Sequence, residues 1–268
     1  MYEQVNGITM NLEMNGNGEE TVVFVHGLGG SLNVWYSQIA VVSRYYKTIA
    51  YDLRGSGRSD KADCEYSIGL WVEDLKALLD SQNIKRVHLV GWSLGTLIVQ
   101  HFSSKYATMV ASQTLVGGLW ELPEVGKQNT LKRAEIVQEE GMDAVADTIV
   151  AGGTSSYTKY AQPALVGLIR DLLLRNNPEA YAASCRALAG GTAIDHQQVD
   201  VPTLLIVGDE DNVTPLPVAE RLYRAFPNVQ LEVIANAGHW IIVEKPTELN
   251  TAFLTFLKTI NQTSSVQS

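Results

Sequence analysis

A serine, a histidine and a cluster of carboxylates stand in loops where they could make a nucleophile and the base that activates it. Ser93 sits in Gly91-Trp92-Ser93-Leu94-Gly95, between an apolar Val- and Leu-rich run and a stretch that reads as a helix. A serine on a sharp strand-to-helix turn needs strained backbone angles, and a side chain at either flank would collide with the neighbouring strand or helix. Glycine at both flanks removes the collision and leaves the Ser93 hydroxyl exposed above a sheet. The backbone N–H of Leu94 then points into the same space, at the positive end of the new helix, where it suits an oxyanion. A serine hydroxyl is a weak nucleophile until a base accepts its proton, and that base needs a carboxylate to fix its tautomer. Of the five histidines, His239 is the one that follows Ser93 in a loop, beside Gly238 at a strand end. His26, His88, His101 and His196 read as structural polar groups. The carboxylate belongs to Gly208-Asp209-Glu210-Asp211, where spacing leaves Asp209, Glu210 and Asp211 in competition.

The elements around these loops alternate between strand and helix. Residues 2–14 read as a hairpin around Asn6-Gly7. Residues 21–25 are too apolar to alternate and read as a buried strand, as does the apolar run 87–90, and 47–51, 112–118 and 203–207 read as further strands. Helices are expected at 31–44, at 66–81 and after Ser93, which makes a mostly parallel, doubly wound α/β sheet. Between residues 119 and 200 the alternation stops. Helical runs at 131–139, 142–150, 163–174 and 178–188, with no convincing strand, read as a helical cap inserted into a core of residues 1–118 and 201–268. Gly152-Gly153 and Gly190-Gly191 mark hinges or helix ends. A helix at 216–226, a strand at 229–234 and a helix at 247–260 close the core, and the polar tail 261–268 is expected to be disordered.

Composition narrows the partners. The 268 residues carry a formal charge of −9 and no basic cluster, which argues against nucleic acid. No apolar run reaches membrane-spanning length, and the N-terminus lacks a signal-peptide pattern. Two cysteines are too few for a disulfide framework, so a cytoplasmic protein is expected. No His-x-x-x-His or Cys-x-x-Cys spacing suggests a metal, and the glycines of residues 52–59 do not match a phosphate-binding pattern. Asp52 and Arg54 are expected to brace that loop.

Together, several motifs carry a family likeness. They are His26-Gly27-Leu28-Gly29 with Trp35, Asp52-x-Arg54-Gly55-x-Gly57-x-Ser59, Gly91-x-Ser93-x-Gly95, Gly208-x-x-Asp211-x-x-x-Pro215, and Gly238-His239 with Glu244-x-Pro246. The chain resembles the α/β-hydrolase superfamily from Tyr2 to Ile260, and within it the 3-oxoadipate enol-lactonase-like branch. The resemblance implies an α/β-hydrolase fold, selects Asp211 as the acid, and gives the N–H of Leu28 as the second oxyanion donor beside that of Leu94. It implies a cofactor-free serine hydrolase acting on a lactone or small carboxylic ester through an acyl-enzyme, with a homo-oligomer allowed. Trp92, Trp120 and Trp240 are candidates for an aromatic pocket. An acidic lactone would need a cation from the cap, with Arg133, Arg170, Arg175 and Arg186 as candidates. Trp92 and Thr96 depart from the smaller residues usual in the branch. Alternatives on the same fold are a meta-cleavage-type C–C bond hydrolase, a serine perhydrolase and a slow-turnover hormone-type receptor. Haloalkane dehalogenases and epoxide hydrolases are disfavoured, since both need Asp where Ser93 stands.

Overall fold

The computed structural model describes residues 1–266. Strands β1 (Tyr2–Val5), β2 (Ile8–Asn15), β3 (Thr21–Val25), β4 (Lys47–Tyr51), β5 (Val87–Trp92), β6 (Val110–Val116), β7 (Thr203–Gly208) and β8 (Val229–Ile234) form one sheet in the order β1-β2-β4-β3-β5-β6-β7-β8. From β4 to β8 neighbouring strands are parallel, while β1 and β2 add an antiparallel edge. The expected hairpin turn is present, with Asn6 and Gly7 both at positive φ (44° and 78°), as a type I′ turn requires.

The helices are α1 (Tyr36–Val42), α2 (Ile68–Ser81), α3 (Leu94–Lys105), α4 (Glu124–Glu140), α5 (Asp143–Gly153), α6 (Ser156–Ala161), α7 (Pro163–Leu174), α8 (Pro178–Ala189), α9 (Leu216–Ala225), α10 (Ile241–Glu244) and α11 (Pro246–Val266). Alternate residues of β3 enter opposite cores. Val23 and Val25 join Trp71, Leu75, Leu97 and Phe102 of α2 and α3, whereas Val22 and Phe24 join Ile39, Val42, Phe253 and Leu257 of α1 and α11. Covering on both faces is why these strands show no polar alternation.

Helices α4 to α8 all lie between β6 and β7, where a helical insertion was expected. Helix α6 was not foreseen. Its run Ser155-Ser156-Tyr157-Thr158 has no apolar periodicity, and it starts on a side-chain cap, with Ser155 Oγ accepting the Thr158 N–H at 3.1 Å. At the other end, α11 runs on through residues 261–266 of the segment expected as a tail, where neither glycine nor proline interrupts it. Residues 267 and 268 of that tail lie outside the described residues. Among the described residues, no helix is long and apolar enough to cross a membrane.

Helix α3 starts in very close contact with β3. A Cβ on Gly95 would overlap the carbonyl oxygen of Val25, and one on Gly91 would lie 2.5 Å from the Gly95 carbonyl oxygen. The collisions are with backbone, so no side-chain rotation relieves them. Gly95→Ala should therefore lose on the order of 3 kcal/mol or more in urea unfolding; wild-type stability in that variant would contradict the close approach.

Candidate active site

Ser93 links the end of β5 to the start of α3 with φ 53° and ψ −120°, a backbone conformation that costs of order 1–3 kcal/mol unless its surroundings hold it. The Ser93 N–H donates to the Val116 carbonyl at 3.0 Å. The Thr96 hydroxyl donates to the Ser93 carbonyl at 2.6 Å and accepts the Leu119 N–H at 3.0 Å. Thr96, a departure from the branch pattern, thus ties the serine turn to the chain entering the helical insertion.

The loops after β7 and β8 bring the acid and the histidine to this turn. Ser93 Oγ lies 2.8 Å from His239 Nε2, and His239 Nδ1 lies 2.9 Å from Asp211 Oδ2. All three side chains are buried. Asp211 also accepts the N–H groups of Val213 and Thr214 and the Thr214 hydroxyl, each at 2.8 Å. Burial pushes the Asp211 carboxyl up, but the charge and hydrogen bond of His239 and the Thr214 donors outweigh it and hold the carboxyl below its ordinary range. An ionised Asp211 can only accept from Nδ1–H, which leaves Nε2 to accept the Ser93 hydroxyl proton. The competing acids are used elsewhere. Asp209 accepts the Ala237 N–H at 3.2 Å, and Glu210 accepts the Ser156 N–H of α6 at 2.7 Å.

Three further groups fix the histidine. The Gly153 carbonyl, at the end of α5, accepts the N–H of His239 at 2.7 Å and that of Trp240 at 3.3 Å. Trp92 Nε1 donates to the His239 carbonyl at 2.8 Å, and the Trp92 ring lies 4.6 Å from that of Trp240. Gly238 has no room for a side chain, since its Cβ would lie 2.6 Å from the Gly153 carbonyl oxygen. The sequence signals neither Thr214 nor the acceptor role of Gly153, because one is an ordinary loop threonine and the other, legible only as a hinge or helix end, acts through a carbonyl that every residue has.

A cavity of about 550 Å³ opens above Ser93, between the sheet and the inserted helices. That size suits a small organic molecule. Leu28, Trp92, Trp240, Ile136, Val145 and Arg133 are among its walls. The N–H groups of Leu28 and Leu94 have no acceptor among the described residues, and Gly27 packs so closely that its Cβ would lie 2.9 Å from that of Ser93. Trp120 lies outside the cavity, contrary to expectation. Its ring is occupied on both sides, by His196 at 4.1 Å and by the Arg221 guanidinium at 3.8 Å.

The cap arginines also separate. Arg170 pairs with Asp147, Arg175 with Asp171, and Arg186 bonds to Gln138. Arg133 reaches the cavity with no carboxylate partner among the described residues, and its Nε is buried without a hydrogen bond. Burial works against its charge, but Tyr181 and Cys185 beside it more than compensate. The bracing roles expected of Asp52 and Arg54 are present. Asp52 accepts from the N–H groups of Leu32 and Arg58, and Arg54 forms a two-pronged bond to Asp74. His26 is structural too, with Nε2 accepting the Leu53 N–H and Nδ1 therefore donating to the Gly27 carbonyl.

The model of the Alpha/beta hydrolase family matches residues 22–252. The chain belongs to that family. Among curated hydrolases it is 29% identical to 3-oxoadipate enol-lactonase 2 of Acinetobacter baylyi over 246 residues, covering 90% of this chain and 89% of that one. In structure it is similar to a thermophilic esterase from Thermogutta terrifontis, with TM-score 0.93, 25% identity, and 97% and 99% of the two chains covered. The enol-lactonase from Burkholderia xenovorans LB400 shares the fold of this hydrolase at TM-score 0.92 and 24% identity, with 96% and 100% covered.

His196, packed between Trp120 and Phe226, makes the stability of the hydrolase depend on pH. Burial, with help from Arg221, lowers it from 6.5 to about 4. The unfolded chain protonates this histidine below about 6.5 and the folded chain only below about 4, so its contribution is complete above 6.5 and declines across that window. Urea unfolding free energy should fall on acidification from 6.5 to 4, and less steeply in His196→Gln; identical slopes would mean that His196 titrates alike in both states.

Proposed function

We propose that the protein is a serine-dependent hydrolase of carboxylic esters or lactones that works through an acyl-enzyme. The observation that carries this reading is the continuous hydrogen-bonded line from Asp211 through His239 to Ser93 at the floor of the cavity. The lactonase and esterase relatives support the same class of substrate.

Ser93 Oγ attacks the substrate carbonyl carbon while His239 Nε2 accepts the hydroxyl proton. Asp211 stabilises the imidazolium that forms, and the N–H groups of Leu28 and Leu94 hold the oxyanion. Collapse of the tetrahedral intermediate breaks the C–O bond, and the leaving oxygen takes the proton from His239. Water then adds to the acyl-enzyme, giving a proton to His239; the bond between the acyl carbon and Ser93 Oγ breaks as His239 returns that proton to Oγ, and the acid product leaves. In a lactone the alcohol and the acid remain in one molecule. The helices of residues 119–200 act as a specificity cap over this core.

Arg133 supports a substrate that carries its own carboxylate. A guanidinium facing a cavity with no acidic partner is compensated when an anion binds there.

Ser93→Ala should abolish hydrolysis in a folded protein, and a fluorophosphonate should label Ser93 by mass spectrometry. Asp211→Asn should lower kcat by about 10⁴-fold and Asp209→Asn far less. Retained turnover in Ser93→Ala, or equal losses in the two aspartate variants, would refute the assignments. For the cap cation, Arg133→Met should raise KM for a carboxylate-bearing lactone by about 10- to 100-fold and leave KM for an uncharged ester nearly unchanged. An equal effect on both substrates would remove the anion-binding role.

A further inference from the structure

Glu244 is a buried carboxylate that the mechanism above does not use. It is 3% exposed and forms no ion pair among the described residues. Its partners are two backbone N–H groups on different parts of the molecule. Oε1 accepts from Gly238, the residue before His239, at 3.1 Å. Oε2 accepts from Ser155, between α5 and α6, at 2.8 Å. Burying a carboxylate without a cation costs several kcal/mol unless good donors satisfy it, and here both oxygens are committed to joining the histidine loop to the inserted helices.

The same junction holds other bonds. The Gly153 carbonyl accepts the His239 and Trp240 N–H groups, and Glu210, in the acid loop, accepts the Ser156 N–H. Residues 153–156 thus touch both the loop carrying His239 and the loop carrying Asp211. Charge-assisted hydrogen bonds are roughly twice as strong as neutral ones; of the two carboxylates here, Glu210 serves the acid loop and Glu244 bonds to the residue beside His239.

We infer that Glu244 is a positioning residue for His239: its carboxylate fixes the Gly238–His239 peptide against residues 153–155, so that the helical insertion sets the register of the base as well as the shape of the pocket. This inference rests on His239 acting as the base. A shift of about 1 Å in a catalytic group can cost about 10²-fold in rate, so the effect should appear in kcat and leave substrate binding largely alone.

Two pairs of variants test it. In Glu244→Gln the amide offers one acceptor oxygen, and its NH₂ faces an N–H donor, so one side of the bridge is lost. At Ser155 the backbone has φ −69°, which proline adopts without strain. Ser155→Pro removes the N–H and puts a methylene against the Glu244 carboxylate, while Ser155→Ala keeps the N–H and loses only the hydroxyl that caps α6. The readouts are kcat and KM for a short uncharged ester, and the second-order rate of Ser93 phosphonylation by an uncharged fluorophosphonate, in which fluoride leaves and the hydroxyl proton passes to His239.

Glu244→Gln and Ser155→Pro should each lose about 10- to 100-fold in kcat and in phosphonylation rate, with KM within about threefold of wild type. Ser155→Ala should stay close to wild type. Near wild-type kcat and labelling in folded Glu244→Gln, or equal losses in Ser155→Pro and Ser155→Ala, would overturn the inference. If Glu244→Gln does not fold, the Ser155 pair decides alone. Turnover that survives Ser93→Ala would instead refute the underlying mechanism, whatever the Glu244 variants do.

Discussion

The close packing of α3 on the sheet is the constraint from which the site follows. Because Gly91 and Gly95 lack side chains, the first turn of α3 settles onto the carbonyl of Val25. That approach leaves Ser93 in a conformation a serine would not choose, at φ 53°. The cost is met by the surrounding packing, including the Val116 carbonyl and the Thr96 hydroxyl. Strain here has a purpose, since it lifts the hydroxyl off the sheet and turns the Leu94 N–H toward the same space.

Around that fixed point the chain adds loops that are individually weak and jointly rigid. The acid, the histidine and the glycine-rich turn after β3 all leave the carboxyl edge of parallel strands, where open α/β sheets bind ligands. None is held by its own strand alone. Trp92 reaches the His239 carbonyl, Thr214 saturates Asp211, and the end of α5 accepts the His239 N–H. The inserted helices therefore contribute to the site from its back as well as from its roof.

Much of this was legible in the amino acids, and the reasons differ by residue. Buried parallel strands announce themselves as unbroken apolar runs, and the pairing of Ser93 with His239 follows from chemistry and chain order. The choice of Asp211 over Asp209 rests on family likeness; in the fold Asp211 lies against His239, while Asp209 turns back to Ala237. Trp120 misled because aromatic residues near a site are as easily taken up by a neighbour, here His196 and Arg221. Helix α6 was hidden because its signal is a capping hydroxyl rather than a periodic apolar face. The role of Gly153 has no side-chain signature at all.

That last feature bears on how such an enzyme changes over generations. A carbonyl oxygen is common to all twenty amino acids, so the bond from Gly153 to His239 does not depend on which helical face lines the cavity. Replacements at Ile136, Val145 or Thr130 can recolour the walls of the chamber without severing that anchor. Inherited variation in the insertion is thereby partly uncoupled from the machinery beneath it. Selection can try new substrates on a lineage while the older chemistry keeps running.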